Sequence, residues 1–195
     1  MVILGEKWMM AAPCGGQDLS GRNMDKQISY YLQRRSVAFS QDYPISRNQL
    51  WQLISQSGNL NQCHPFCLEN EVINWDEKSH IDRLIYLNGL TYIRRFLNWE
   101  EGEGYDLLIG KEAGPQSYVV WEISELGEGK SSLKITVYPY FLTKMNRLVS
   151  FLPFFLYIRP KLKSYLKSVL NGFLYYSTNK EPVPRNYWGK HSWFS

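Results

Sequence analysis

Between about residues 68 and 141 the apolar positions fall into six short runs rich in β-branched and aromatic residues, each interrupted by polar ones. The runs cover 72–75, 80–87, 90–99, 105–109, 118–126 and 133–138. Turn residues separate them: Asn88-Gly89, Glu101-Gly102-Glu103-Gly104, Gly114-Pro115 and Gly127-Glu128-Gly129. Short apolar, β-branched and aromatic runs bounded by turn residues predict strands, here a meander of six antiparallel strands. An earlier run, 30–39, mixes aromatic and β-branched residues and reads as a first strand, making seven. After it, Ser46 followed by Gln49 has capping-box spacing, and Leu50, Trp51 and Ile54 recur at helical intervals. That predicts a short helix near 47–55, broken by Ser57-Gly58-Asn59, and a second helical turn over about 60–64 before Pro65.

The period changes again near the end. Leu162, Tyr165, Leu166, Val169, Leu170, Phe173 and Leu174 fit the i, i+3, i+4, i+7 pattern. Lys161, Lys163, Ser164, Lys167, Ser168 and Asn171 fill the opposite face. The spacing predicts one helix over 161–176 with a broad apolar face that only the sheet is large enough to cover. Pro182-Val183-Pro184 ends any helix, and the rings of Tyr187, Trp188, Trp193 and Phe194 that follow are expected to dock on the domain or on a partner.

The chain has 195 residues, enough for one domain with a real core. Its net charge of +4 is small and scattered, with no basic stripe of the kind that tracks nucleic acid. Aromatics make up 15%, which implies a thick core or a lined cavity. The three cysteines, Cys14, Cys63 and Cys67, form no disulfide framework and suit a reducing, cytoplasmic setting. His64 lies between Cys63 and Cys67, but His80 and His191 stand apart, so no four-ligand metal set assembles and no cofactor is implied. Residues 1–26 have loop composition after a short apolar start and read as a flexible leader, with Met24 a candidate start. The domain then covers 27–178, and an aromatic tail covers 179–195.

Several stretches resemble the START/Bet v1-like (SRPBCC) superfamily, in particular its polyketide cyclase/dehydrase and lipid-transport branch. Pro44-Ile45-Ser46-Arg47-Asn48-Gln49-Leu50-Trp51-Gln52-Leu53-Ile54 is similar to that family's first helix. His64-Pro65 follows the second helix, and Trp121-Glu122-Ile123 with Leu126-Gly127-Glu128-Gly129 resembles the penultimate strand and its turn. The resemblance implies an α+β helix-grip fold, a curved seven-stranded antiparallel sheet wrapped around a long C-terminal helix, with two short helices after the first strand. It also implies an apolar cavity between sheet and helix.

A two-residue Asn88-Gly89 loop would pair Leu87 with Leu90, Ile85 with Tyr92, Arg83 with Arg94 and Ile81 with Phe96 on one face. Asp82 and Arg95 would pair on the other, wet, face. The resemblance supports turning the first face inward. Two buried arginines need internal acids, an escape to solvent, or an anionic ligand such as a fatty acid. Alternation adds Tyr105, Leu107 and Ile109, then Val119, Trp121 and Ile123, then Leu133, Ile135 and Val137 to the inner face. Tyr165, Val169 and Phe173 would face them from the helix.

The candidate ligand-binding set is therefore His64, Arg83, Ile85, Leu87, Tyr92, Arg94, Phe96, Leu107, Ile109, Val119, Trp121, Ile135, Tyr165, Val169 and Phe173. His64 is also the candidate general acid or base. Three readings stand side by side: a non-catalytic carrier or sensor of a hydrophobic or amphipathic molecule, a cyclase or dehydratase using the same cavity, and a ligand-free interaction module. The greasy stretch Leu148, Val149, Phe151, Leu152, Phe154, Phe155, Leu156, Tyr157 and Ile158 is too short to span a bilayer. It reads as a lid on the cavity mouth or as a transient membrane-surface contact flanked by Lys144, Arg147, Arg159, Lys161 and Lys163.

Overall fold

A computed structural model of the chain describes residue 26, residues 28–141, residue 146 and residues 148–195. The expected leader and its start at Met24 lie outside the described residues. The chain divides into two units, Met1–Gln33 and Arg34–Ser195. In the first, the described residues 28–32 are helical. The first strand therefore does not begin at residue 30 but at Val37. The run Tyr30-Tyr31-Leu32 is too short for its period to separate helix from strand.

In the second unit, strand β1 (Val37–Tyr43) is followed by helices α1 (Arg47–Ser55) and α2 (Leu60–Cys63). Six more strands follow: β2 (Cys67–Asp76), β3 (Ser79–Tyr86), β4 (Thr91–Glu100), β5 (Gly104–Gly110), β6 (Gln116–Gly127) and β7 (Lys130–Tyr138). They form one antiparallel sheet in the order β1-β7-β6-β5-β4-β3-β2. A short helix α3 (Phe151–Pro153) and a π-helical turn (Phe154–Ile158) lead into the long helix α4 (Arg159–Asn179). This is an α+β helix-grip fold.

Local chemistry sets the elements. The Ser46 side chain accepts the Gln49 amide proton while Gln49 Oε1 accepts from Ser46 N–H at 3.0 Å, a complete capping box for α1. At the other end, Asn59 Nδ2 donates to the carbonyls of Leu53 and Ile54. Helix α4 buries Leu162, Leu166, Val169, Leu170 and Phe173, the stripe its periodicity predicts. It is tied to β1 by the Tyr43 hydroxyl, which donates to the Leu170 carbonyl at 2.8 Å. It also passes α2 so closely that a Cβ on Gly172 would sit 2.0 Å from the Cys63 carbonyl oxygen.

The β3–β4 hairpin differs from the expectation. Tyr86 N–H donates to the Leu90 carbonyl, and Gly89 N–H to the Tyr86 carbonyl, both at 2.9 Å. The loop is therefore three residues, Leu87-Asn88-Gly89, with Gly89 at φ 81°. A type I turn closed by a left-handed glycine gives this bulged loop instead of the two-residue one. The register becomes Asp82 opposite Arg94 and Leu84 opposite Tyr92. One residue of slip turns one strand over. Asp82, Leu84 and Tyr86 are buried, whereas Arg83 and Ile85 are only partly so.

Candidate functional site

Between the inner face of the sheet and α4 lies a pocket of about 90 Å3. The sheet contributes Tyr92 and Arg94 from β4, Leu107 and Ile109 from β5, Val119 and Trp121 from β6, and Ile135 from β7. Helix α4 contributes Tyr165 and Val169, and the segment after α2 contributes His64. All of these belong to the candidate ligand-binding set.

Five predicted residues do not line it. Arg83 points away from the pocket, its Nη1 2.6 Å from Glu71 Oε2, because the slipped register puts it on the other face. Ile85 shares that face, and Leu87 sits in the turn. Phe96 lies in an aromatic cluster with Trp75, Trp99 and Tyr105, at ring separations of 5.3, 5.4 and 5.0 Å. Phe173 is fully buried edge-on to Trp121, behind the pocket wall.

The wall also holds residues that alternation missed. Leu84 and Tyr86 come from the slipped strand, and a three-residue loop at Asn88-Gly89 is the signal that would have found them. Leu162 and Leu166 lie on the predicted apolar stripe of α4. Tyr140 and Phe141 follow β7, and Trp193 and Phe194 come from the C-terminal tail. No local pattern tells where an irregular segment folds back.

One end of the pocket is polar and hydrogen-bonded in a fixed sense. The Phe66 amide donates to His64 Nδ1 at 3.2 Å, so the neutral ring carries its proton on Nε2. His64 Nε2 lies 2.9 Å from the Tyr165 hydroxyl oxygen, which lies 3.1 Å from that of Tyr86. Burial, and then the nearby Arg94 charge, push the His64 pKa down to about 3, so the ring stays neutral at ordinary pH. Burial raises the pKa of both tyrosines, keeping both hydroxyls protonated. His64 and the two tyrosines bring three protons to two contacts. One hydroxyl proton is left with no acceptor among the described residues.

Arg94 stands beside this chain. Its Nε donates to Asp82 Oδ1 at 2.7 Å and its Nη2 to Asp82 Oδ2, with both residues buried. Burial works against the Arg94 charge, but Asp82 more than offsets it and holds the guanidinium pKa above its ordinary value. Of the two arginines expected to face inward, Arg83 faces away, and Arg94 meets an internal acid, one of the alternatives left open for it; that acid is Asp82, which was expected on the outer face opposite Arg95. The fork geometry uses two of the five Arg94 N–H groups, leaving donors but no net charge.

The C-terminal tail folds back along one wall of the pocket. Val183 N–H donates to the Gln62 carbonyl and Asn186 N–H to the Pro65 carbonyl, at 2.8 and 2.9 Å. Asn88 Nδ2 donates to the Trp193 carbonyl at 2.9 Å. The Phe194 ring then stacks on Tyr86, with centroids 4.4 Å apart, and meets Tyr165 at 4.5 Å. Trp193 packs against Phe141 and Tyr157. The Cys63 and Cys67 thiols are buried and free, with the Cys67 pKa pushed up to about 12 mainly by burial. Among the described residues no three His, Cys, Asp or Glu side chains come together as a metal set.

No family model and no curated protein matches the chain. Solved structures do. DynU16, a protein of the dynemicin biosynthetic locus, matches with a TM-score of 0.57 at 14% identity, over 75% of this chain and 48% of that one. The di-domain ARO/CYC StfQ from the steffimycin biosynthetic pathway matches with a TM-score of 0.52 at 7% identity, over 74% of this chain and 45% of that one. The chain thus spans about half the length of these two proteins. A conserved protein from Geobacillus kaustophilus matches with a TM-score of 0.54 at 13% identity, over 75% of this chain and 97% of that one. Together with the sheet order and the gripped helix, these likenesses show that the chain shares the fold of these proteins, a helix-grip fold.

Proposed function

We propose that the protein binds a hydrophobic small molecule bearing an uncharged hydrogen-bond acceptor, such as a ketone or quinone carbonyl, in the pocket between sheet and α4. The observation that carries this reading is the unspent hydroxyl proton of the His64–Tyr165–Tyr86 chain, facing an otherwise largely apolar wall. An unmet donor in a buried site is costly, and a ligand oxygen removes that cost. Because Asp82 already balances Arg94, a carboxylate would bring an uncompensated negative charge into the pocket.

At about 90 Å3 the pocket is below the ~300 Å3 of an ordinary ligand site. A larger ligand would therefore need the pocket to widen, and the Trp193 and Phe194 rings, carried by the C-terminal tail, are the wall elements proposed to shift. A carrier or sensor fits this arrangement. The cyclase reading draws on the likeness to an ARO/CYC protein and on tyrosine hydroxyls that could polarise a carbonyl. In that reading His64 positions Tyr165 and is not the base, since one nitrogen accepts from backbone and the other donates. Native mass spectrometry of the gently purified chain tests the proposal. A retained apolar carbonyl compound supports it. Bare protein alone, both from the parent and from Phe194→Ala, contradicts it and favours an interaction module.

A further inference from the structure

We infer that the segment around α3 and the π-helical turn seats on an anionic lipid bilayer. Phe154 and Ile158 anchor the segment in the core, so it is a fixed surface. Its other side carries Leu148, Leu152 and Leu156, spaced four apart and 84, 62 and 74% exposed. Val149, Phe151 and Tyr157 are exposed beside them. So many large apolar side chains in one stretch exceed what a water-facing helix needs.

Charge selects the occupant. From Phe141 to Lys180 the sequence has no Asp or Glu, yet it holds Lys144, Arg147, Arg159, Lys161, Lys163, Lys167 and Lys180. The Arg159 guanidinium lies 5.6 Å over the Phe155 ring, and Arg35 lies 5.5 Å over Phe151. Cations layered on rings, next to exposed leucines, match the boundary between anionic headgroups and acyl chains. A second copy of the chain would instead bring like charge against like charge. No helix among the described residues is long and apolar enough to cross a membrane, which leaves surface seating. Tyr157 packs against Trp193 at 6.1 Å, so this face adjoins the pocket wall that Trp193 forms. The inference stands on the surface alone and does not depend on what the pocket holds.

Flotation of the full chain with vesicles tests it. The chain should float with phosphatidylcholine vesicles containing about a third phosphatidylglycerol at least tenfold more than with pure phosphatidylcholine, and the difference should shrink in high salt. Leu148→Ser, Leu152→Ser and Leu156→Ser combined should cut binding at least tenfold, and so should Arg159→Glu with Lys163→Glu. All five side chains are exposed, so melting temperatures should hold and show that the variants are folded. Failure to float with anionic vesicles overturns the inference, as does full retention by the folded leucine variant. A concentration-dependent dimer that the leucine variant abolishes, without vesicle binding by the parent, assigns the face to a second copy and also overturns it.

Discussion

Arg94, in the wall of the pocket, and Asp82 meet as a two-pronged ion pair across β4 and β3, both buried. Breaking such a pair by removing one partner leaves a buried charge unmatched, at a cost of about 3–5 kcal/mol. Asp82→Asn should therefore lose about that much stability in urea denaturation. Arg94→Met combined with Asp82→Leu should recover most of the loss, because both charges go together. A fully stable Asp82→Asn protein would contradict the buried pairing.

His64 ties stability to pH. Its folded pKa of about 3 lies below the ordinary histidine value, so between them the unfolded chain binds a proton that the native chain does not. The native state is then favoured fully above about pH 6.5 and loses stability as pH falls below that value, until about pH 3. From pH 7 to pH 5 the loss from this one group is about 2 kcal/mol. Urea denaturation of the parent and of His64→Gln at both pH values isolates it: the parent should fall by more than the variant. Equal falls would mean that His64 titrates normally in the folded chain.

Gly172 is needed for space. Alanine usually stabilises a helix interior by about 1 kcal/mol over glycine. Here its Cβ would meet the Cys63 carbonyl oxygen, a backbone atom that moves only with α2. Gly172→Ala should thus destabilise the chain by about 1–3 kcal/mol, reversing the sign expected from propensity. A raised melting temperature would show that α4 and α2 are not in close contact.

The tail should behave as part of the domain. Phe194 is buried against Tyr86, Tyr165 and His191, so Phe194→Ala should cost about 3 kcal/mol and enlarge the pocket. The same variant should take up an apolar ligand faster in stopped-flow fluorescence. Unchanged stability together with unchanged uptake would place the ring outside the pocket wall.

Much of this architecture is written in periodicity. The alternation of Val119, Trp121 and Ile123 and of Leu133, Ile135 and Val137 marks the inner face, and the stripe Leu162, Leu166, Val169, Leu170, Phe173 marks the helix that covers it. Both patterns depend only on which face meets water. The β3–β4 register was not legible in this way, because Asn88-Gly89 closes two- and three-residue loops alike and both strands place charges on both faces. That one-residue difference turns Arg83 outward and brings Asp82 and Tyr86 inward. The strand at 30–39 was misplaced because an aromatic run serves helix and strand equally. Phe194 was expected to dock, but its seat on Tyr86 depends on contacts more than a hundred residues away in sequence.

Calorimetric titration with three matched bicyclic aromatic compounds tests the central claim most directly: a ketone, the hydrocarbon with CH2 in place of the carbonyl, and a carboxylate of the same size. The unspent hydroxyl proton and the balanced Arg94–Asp82 pair predict that the ketone binds about tenfold more tightly than the hydrocarbon, and that the carboxylate binds more weakly than the ketone. Equal affinity for ketone and hydrocarbon, or tightest binding of the carboxylate, would contradict a pocket built for an uncharged acceptor.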